Sequence, residues 1–229
     1  MKDVVEKNIW EEIFSTRSWG KYPNEELVTF VGRRLRMLPT ESLGRVLEVG
    51  CGPGANLWFL GRVSEEVVGI DFSQTALDQA CFLYSQMNDK LLHNAPKLRT
   101  VCADITNREE EPERFDYVFD VLASTHNTLE NVAKIVNNIH SMLAVHGTYW
   151  GKFWGIGCPG FSSSVSLGQY SRDKIAEGPC QGVGVTTFVD KAVIRELFSK
   201  FESVAITKTR VEDEYENLLY ETYVVIAKK

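Results

Sequence analysis

The sequence predicts an α/β protein, a three-layer sandwich around a mostly parallel seven-stranded sheet that a C-terminal antiparallel hairpin closes. Three observations lead there. Strand-like apolar runs alternate with helical patterns between about residues 45 and 154, and strands separated by helices pair in parallel with helices on both faces. Two further strand-like runs, 201–211 and 218–227, follow with only a short link. A parallel crossover needs about a dozen residues or more, so these two pair antiparallel. A length of 229 residues suits one such domain with modest additions and buries a substantial core.

The elements follow in order. Residues 3–14 read as a helix with Val5, Ile9 and Ile13 on one side. A second helix, roughly 24–38, spaces Val28, Val31, Leu35 and Leu38 by three and four, and Pro39 ends it. The first strand is 45–49, with a helix over 55–62. After the second strand, 67–71, Ser73 caps a helix whose Ala76, Ala80, Leu83 and Met87 share a face. The third strand is 98–103 and the fourth 115–121. A helix at 128–143 presents Leu129, Val132, Val136, Ile139 and Leu143 to the sheet, and Gly147 releases the chain into a fifth strand at 148–154. A helix at 190–200 leads into the hairpin. The whole, 1–229, reads as one domain in which 1–42 is a helical cap and 154–185 a long loop. No repeat or low-complexity tract interrupts it.

Composition excludes several function classes. A net charge of −6 argues against a nucleic-acid binder, which shows a basic face. The five cysteines, at 51, 81, 102, 158 and 180, are odd in number, scattered and never in a C-x-x-C pair. They predict free thiols in a reducing compartment, with neither a disulfide frame nor a zinc site. No cluster of metal ligands stands out. The first residues are too charged for a signal sequence, and no apolar run spans a bilayer, so a cytoplasmic protein without a membrane partner is expected.

The most informative stretch is Val46-Leu47-Glu48-Val49-Gly50-Cys51-Gly52-Pro53-Gly54-Ala55-Asn56. A strand that turns sharply into a helix against a ligand leaves no room for a Cβ and favours positive φ, so glycines belong there. The pattern has two readings. Gly50, Gly52 and Ala55 fit the G-x-G-x-x-A variant of the dinucleotide fingerprint. The same run is also G-x-G-x-G with Glu48 inside the strand end. A pyrophosphate seated on a helix N-terminus disfavours a neighbouring anion. Glu48 therefore favours a cofactor that carries an ammonium or sulfonium and no phosphate, and S-adenosylmethionine fits. Asp71, which ends the second strand, stands near the offset of about 20 residues at which an acid meets a ribose.

Glu48 through Gly54, with Asp71 and Asp104 after them, resemble the Rossmann-like class I S-adenosylmethionine-dependent methyltransferases, over roughly residues 43–229. The resemblance implies that Asp71 accepts the ribose hydroxyls and that Phe72 lies against the adenine. It implies that Asp104 takes the adenine amino group while the backbone N–H of Ile105 faces a ring nitrogen. Gly50, Cys51, Gly52, Asn56 and Ser73 complete the expected cofactor site, with Asp120 and Val121 at the end of the fourth strand, where Asp120 contacts the cofactor through its own or a neighbouring backbone group. The terminal hairpin also suits that family better than a dehydrogenase, which more often continues into a separate substrate domain.

The acceptor side is less defined. Trp19, before the first strand, is placed over the methionine portion of the cofactor, with Arg17 or Lys21 as partners for its carboxylate; an aromatic arm packed on the sheet explains the segment equally. Residues 154–185 are glycine- and serine-rich with aromatic punctuation, and a long loop above the strand ends reads as a substrate lid, with Gly178, Gly182 and Gly184 as hinges. His126, in the loop leaving the fourth strand, is the candidate general base. Asp116 reads as structural, His140 and His146 as solvated, and His93 falls in a polar loop. An N-P-P-Y-type motif is missing. The expected activity is transfer of a methyl group to a hydroxyl or amine of a small-molecule acceptor. Two alternatives stand: a non-catalytic S-adenosylmethionine-binding subunit, and an NAD(P)-dependent oxidoreductase.

Overall fold

The computed structural model describes residues 2–40, 42–88, 96–107 and 113–229, with the side chains of 2–8 left aside. Helices α1 (Lys2–Thr16) and α2 (Glu25–Leu35) come first. Asn24 caps α2 by accepting from the amides of Glu26 and Leu27, both at 3.1 Å. Glu25 and Glu26 in the first turn and Arg33 and Arg34 in the last complement the helix dipole. Then alternate β1 (Arg45–Val49), α3 (Leu57–Leu60), β2 (Glu66–Asp71), α4 (Gln74–Asn88), β3 (Leu98–Cys102), β4 (Phe115–Val121), α5 (Leu129–Met142) and β5 (Leu143–Trp154). Short strands β6 (Val165–Ser166), β7 (Ser171–Asp173) and β8 (Thr186–Thr187) precede α6 (Lys191–Leu197), β9 (Ser203–Glu212) and β10 (Leu218–Lys228).

Seven strands form one sheet in the order β3-β2-β1-β4-β5-β10-β9. The first five are parallel; β10 runs antiparallel to both β5 and β9. This is the predicted Rossmann-like three-layer sandwich with its closing hairpin. One face packs α5 and α6 against Leu47, Val118, Tyr149 and Val225; the other packs α2, α3 and α4 against Val46, Val67, Phe119 and Trp150. Because β1 is flanked by β2 on one side and β4 on the other, the chain reverses its winding between β1 and β4. A crevice opens outside the carboxyl ends of strands at such a switch point.

Four local readings need correction. The helix expected at 55–62 shrinks to Leu57–Leu60, because the side chain of Asn56 does not cap it and is engaged with Glu48 and the Asn24 amide instead. Strand β5 begins at Leu143, directly from α5; its pairing with β4 slips between Phe115 and Tyr117, near His146 with a φ of 64°. The 154–185 stretch is not devoid of regular structure: it holds β6 and β7, which with β8 make a three-stranded sheet, over a core of Cys158, Ile175, Cys180 and Phe188. His140 is half-buried and packs edge-on against Phe201 at 4.9 Å. Asp116 is structural as expected, its Oδ2 accepting from the Arg45 amide at 2.8 Å. His93 lies outside the described residues. Among the described residues no helix is long and apolar enough to cross a membrane, and no group of side chains could hold a metal ion.

Candidate active site

A cleft of about 440 Å³ lies at the switch point, within the range of about 300–1,000 Å³ usual for small-molecule sites. Its floor is the glycine turn. Gly50, Gly52 and Gly54 have φ values of 59°, 49° and 82°, a region that favours glycine. A Cβ on Gly50 would lie 2.3 Å from that of Ala123, and one on Gly54 would lie 2.8 Å from that of Ala80, so strand end and helix approach too closely for any side chain. A Cβ on Gly52 would meet only the Phe14 ring at 3.5 Å. Gly52 therefore leaves a bare backbone surface in the cleft wall.

Carboxyl groups surround that turn. Glu48 is buried, its Oε1 accepting from Asn56 Nδ2 at 2.6 Å, and its Oε2 has no hydrogen-bond partner among the described residues. Burial, with lesser repulsion from Asp120 and Asp71, pushes its pKa up to about 8. Asp71 accepts from the Gly52 amide at 2.8 Å through Oδ2 and from the Ser73 amide at 2.9 Å through Oδ1. Burial raises its pKa and these amides oppose the rise. Asp104 accepts from the Thr106 amide at 2.9 Å and hydroxyl at 2.7 Å, which sets the turn at Ile105–Asn107; Asn138 holds that turn by donating to the Ile105 carbonyl at 2.7 Å.

Of the residues singled out from sequence, Glu48, Gly50, Cys51, Gly52, Asn56, Asp71, Phe72, Asp104, Ile105, Val121, Trp19 and His126 line this one cleft. Ser73 and Asp120 do not. Ser73 is buried at the start of α4, its Oγ accepting from the Ala76 amide at 3.0 Å. Asp120 is fully buried beneath the cleft and accepts from the Ala123 and Ser124 amides, both at 3.1 Å, and from the Tyr149 hydroxyl at 3.1 Å. It braces the loop that follows β4, where Leu122 takes a φ of 62° and Ala123 is held against Gly50. Arg17 and Lys21 do not line the cleft either; the Lys21 carbonyl accepts from Trp58 Nε1 at 2.9 Å.

The far wall is built from distant segments. Helix α1 docks on α4 through Ile13, Phe14 and Ala76, with Gln79 Nε2 donating to the Phe14 carbonyl at 2.8 Å and Thr75 bonded to Glu11. Val183, from the 154–185 stretch, packs against the same cluster. Trp10, Phe14, Tyr22, Asn24, Trp154, Pro179 and Val183 thereby join the lining. His126 is packed against Trp10, ring centroids 4.9 Å apart, and its Nδ1 lies 3.2 Å from Thr186 Oγ1. Desolvation lowers its pKa to about 4, so the imidazole is neutral at pH 7.

The residues present fit S-adenosylmethionine: a carboxyl oxygen without a partner, an acid at the end of β2, and a bare turn that a Cβ would fill. Residues 46–147 match the family model described as a methyltransferase domain. A search of curated protein sequences finds no match. Solved structures share the fold at low identity. The N-methyltransferase NodS from Bradyrhizobium japonicum WM9, in complex with S-adenosyl-L-homocysteine, superposes with a TM-score of 0.66 at 14% identity over 98% of each chain. An S-adenosylmethionine-dependent methyltransferase from Methanosarcina mazei gives 0.67 at 16% over 91% of this chain and 98% of its own. The magnesium protoporphyrin IX methyltransferase ChlM from Synechocystis PCC 6803, with bound S-adenosyl-L-homocysteine, gives 0.62 at 15% over 100% and 99%. Glycine turn, strand order and family match agree: residues 46–147 match a methyltransferase domain, and the chain has the fold of the Rossmann-like class I S-adenosylmethionine-dependent methyltransferases.

Proposed function

We propose that this enzyme transfers the methyl group to a hydroxyl or amine of a small-molecule acceptor. The observation that carries the reading is the roof over the cleft. Helix α1 and the 154–185 stretch meet above the glycine turn through Trp10, Phe14 and Val183, which gives the cleft of about 440 Å³ an aromatic wall suited to a small acceptor. The reading is supported by the likeness to ChlM, a magnesium protoporphyrin IX methyltransferase by its name. The 154–185 stretch acts as the substrate lid in this reading.

Within it, Asp71 accepts the ribose hydroxyls and Glu48 faces the cationic end of the cofactor. Asp104 and Ile105 serve the adenine, and Phe72 packs on its ring. Asp120 and Ser73 act through their side chains as positioning residues that shape the loops, and the backbone contact expected at the end of the fourth strand falls to Val121. The bound cofactor supplies the electrophilic methyl group. The protein's task is alignment of the acceptor behind it, worth on the order of 7–11 kcal/mol for well-oriented reactants.

His126 is the candidate base. Its imidazole is unprotonated above about pH 5, yet a base so weak takes a hydroxyl proton poorly, so its contribution lies near the lower end of about 10²–10⁴-fold. Labelled S-adenosylmethionine incubated with the protein and a fractionated metabolite extract tests the function: label should pass to a small-molecule fraction. His126→Ala should then lower kcat by about 100-fold. With the wild type, no His126 titration should appear in kcat between pH 5.5 and 8, because the imidazole is already neutral there. Tight cofactor binding with no labelled fraction points instead to the cofactor-binding-subunit reading.

A further inference from the structure

The loop that follows β4 is fastened to β7 and β8. The Thr187 amide donates to the Thr125 carbonyl at 2.7 Å, and the Thr125 hydroxyl donates to the Thr187 carbonyl at 2.5 Å. The Thr187 hydroxyl donates to the Asn127 carbonyl at 2.6 Å and lies 2.8 Å from Ser171 Oγ, which accepts from the Leu129 amide at 2.9 Å. Thr125, Ser171, Thr186 and Thr187 are all buried. The backbone on both sides of His126 is therefore held without any help from the Thr186 side chain.

The imidazole has a tie of its own. His126 Nδ1 lies 3.2 Å from Thr186 Oγ1, and the ring rests against Trp10 with centroids 4.9 Å apart. His126 lines the cleft, and with Nδ1 turned to Thr186 the nitrogen left to meet an acceptor is Nε2. A neutral imidazole carries one N–H, and the hydrogen bond made at one nitrogen decides where that proton sits. Thr186 has a second neighbour. Burial pushes the Cys180 thiol up, and a hydrogen bond from the Thr186 side chain opposes the rise. A hydroxyl has one proton to give; directed to the Cys180 sulfur, it leaves Oγ1 as an acceptor for Nδ1–H.

We infer that Thr186 is a positioning residue that holds His126 in its Nδ1–H form, so that Nε2 turns a lone pair to the acceptor. The inference rests on the reading of His126 as the base. A base oriented by a third group is the general arrangement at activated nucleophiles. Nε2 takes the proton that the acceptor's hydroxyl or amine gives up as its oxygen or nitrogen bonds to the methyl carbon, and the S–C electron pair stays on sulfur. The resulting imidazolium is protonated on both nitrogens. Its Nδ1–H still donates to Thr186 Oγ1, so the ring keeps its place, and Nε2 releases its proton to water once the product leaves. Without the Thr186 hydroxyl the Nδ1–H loses its partner, and the balance moves towards Nε2–H, the form that cannot accept a proton from the acceptor.

Nitrogen-15 NMR on protein labelled at its four histidines tests this without an acceptor. Protonated and bare ring nitrogens give well-separated signals, and those of His126 are identified by their loss in His126→Ala. At pH 7, where the imidazole is neutral, the wild type should show His126 with Nδ1 protonated and Nε2 bare. Thr186→Val should move the ratio of the two forms about 3- to 10-fold towards Nε2–H, the range for one lost neutral hydrogen bond. Thr186→Ser should keep the wild-type ratio. With labelled S-adenosylmethionine and the metabolite extract, Thr186→Val should lower kcat by a similar factor while calorimetric affinity for S-adenosylhomocysteine stays unchanged, and Thr186→Ser should restore kcat. An Nε2–H form in the wild type overturns the inference whether or not a variant folds, as does a ratio indifferent to Thr186→Val. Absence of any labelled fraction overturns the function proposed above instead; the tautomer is read without an acceptor, so the two failures are told apart.

Discussion

At the scale of single residues, Glu48 carries the most consequence. A carboxyl whose native pKa is about 8 binds its proton more tightly folded than unfolded. Stability therefore falls as pH rises from the ordinary carboxylate range toward 8, because the unfolded state ionises first. A cationic ligand beside it reverses the preference and lowers the pKa. Binding of S-adenosylmethionine at pH 6.5 should accordingly release about one proton, read by calorimetry in buffers of different ionisation enthalpy, and affinity should improve between pH 6 and 7. Glu48→Gln should abolish both effects; proton release that persists in this variant contradicts the role of Glu48. Glu48, Gly50, Gly52 and Asp71 were legible in the sequence because the turn and the strand-end acids are local patterns with fixed chemistry. The inward turn of the Asp120 and Ser73 side chains was not legible, for the opposite reason. A strand-end acid or a helix-start serine reads alike whether it faces a ligand or an amide, and only the fold shows that both turn inward.

At the scale of elements, the junction between β5, β10 and the 154–185 stretch determines whether the roof can form. Glu221 is buried on β10; its Oε1 accepts from the Gly157 amide at 3.1 Å and its Oε2 pairs with Lys208 Nζ at 2.7 Å. Any Cβ on Gly155 or Gly157 would come within 2.5 Å of that carboxylate. Glu221→Ala should lower stability by about 1–3 kcal/mol, less than a fully buried pair because Lys208 is partly exposed. It should also make the 154–185 stretch the first site of proteolysis; denaturant melts and limited digestion check both, and an unchanged digestion pattern contradicts the anchoring role. None of this was visible from composition. The stretch read as a long loop because β6, β7 and β8 are only two or three residues each, too short to give a periodicity. The longer elements were legible: α5 buries Val132, Val136 and Ile139 on one face, and the hairpin strands pair through residues 203–212 and 218–228.

At the scale of the whole molecule, the parallel sheet and its antiparallel close were implied by the alternation of elements and by the short final link; alternation does not fix the strand order, and the cleft follows from the switch between β1 and β4. The segment from Trp10 to Pro23 was expected as one wall and residues 154–185 as a lid; what the sequence withheld was which of their side chains meet. Trp10, Phe14, Trp154 and Val183 are separated by up to most of the chain, and no local pattern marks side chains that meet only after α1 docks on α4. The central claim is that this crevice holds an adenosyl donor without phosphates, gripped through Asp71 beside Gly52. Calorimetric titration with S-adenosylhomocysteine and with NAD, on the wild type and Asp71→Asn, tests it most directly. The account predicts one-site binding of S-adenosylhomocysteine that Asp71→Asn weakens by about 10- to 150-fold, equivalent to about 1.5–3 kcal/mol for a charge-assisted hydrogen bond, and no comparable binding of NAD. Tighter binding of NAD, or affinity for S-adenosylhomocysteine that is indifferent to Asp71, would contradict it.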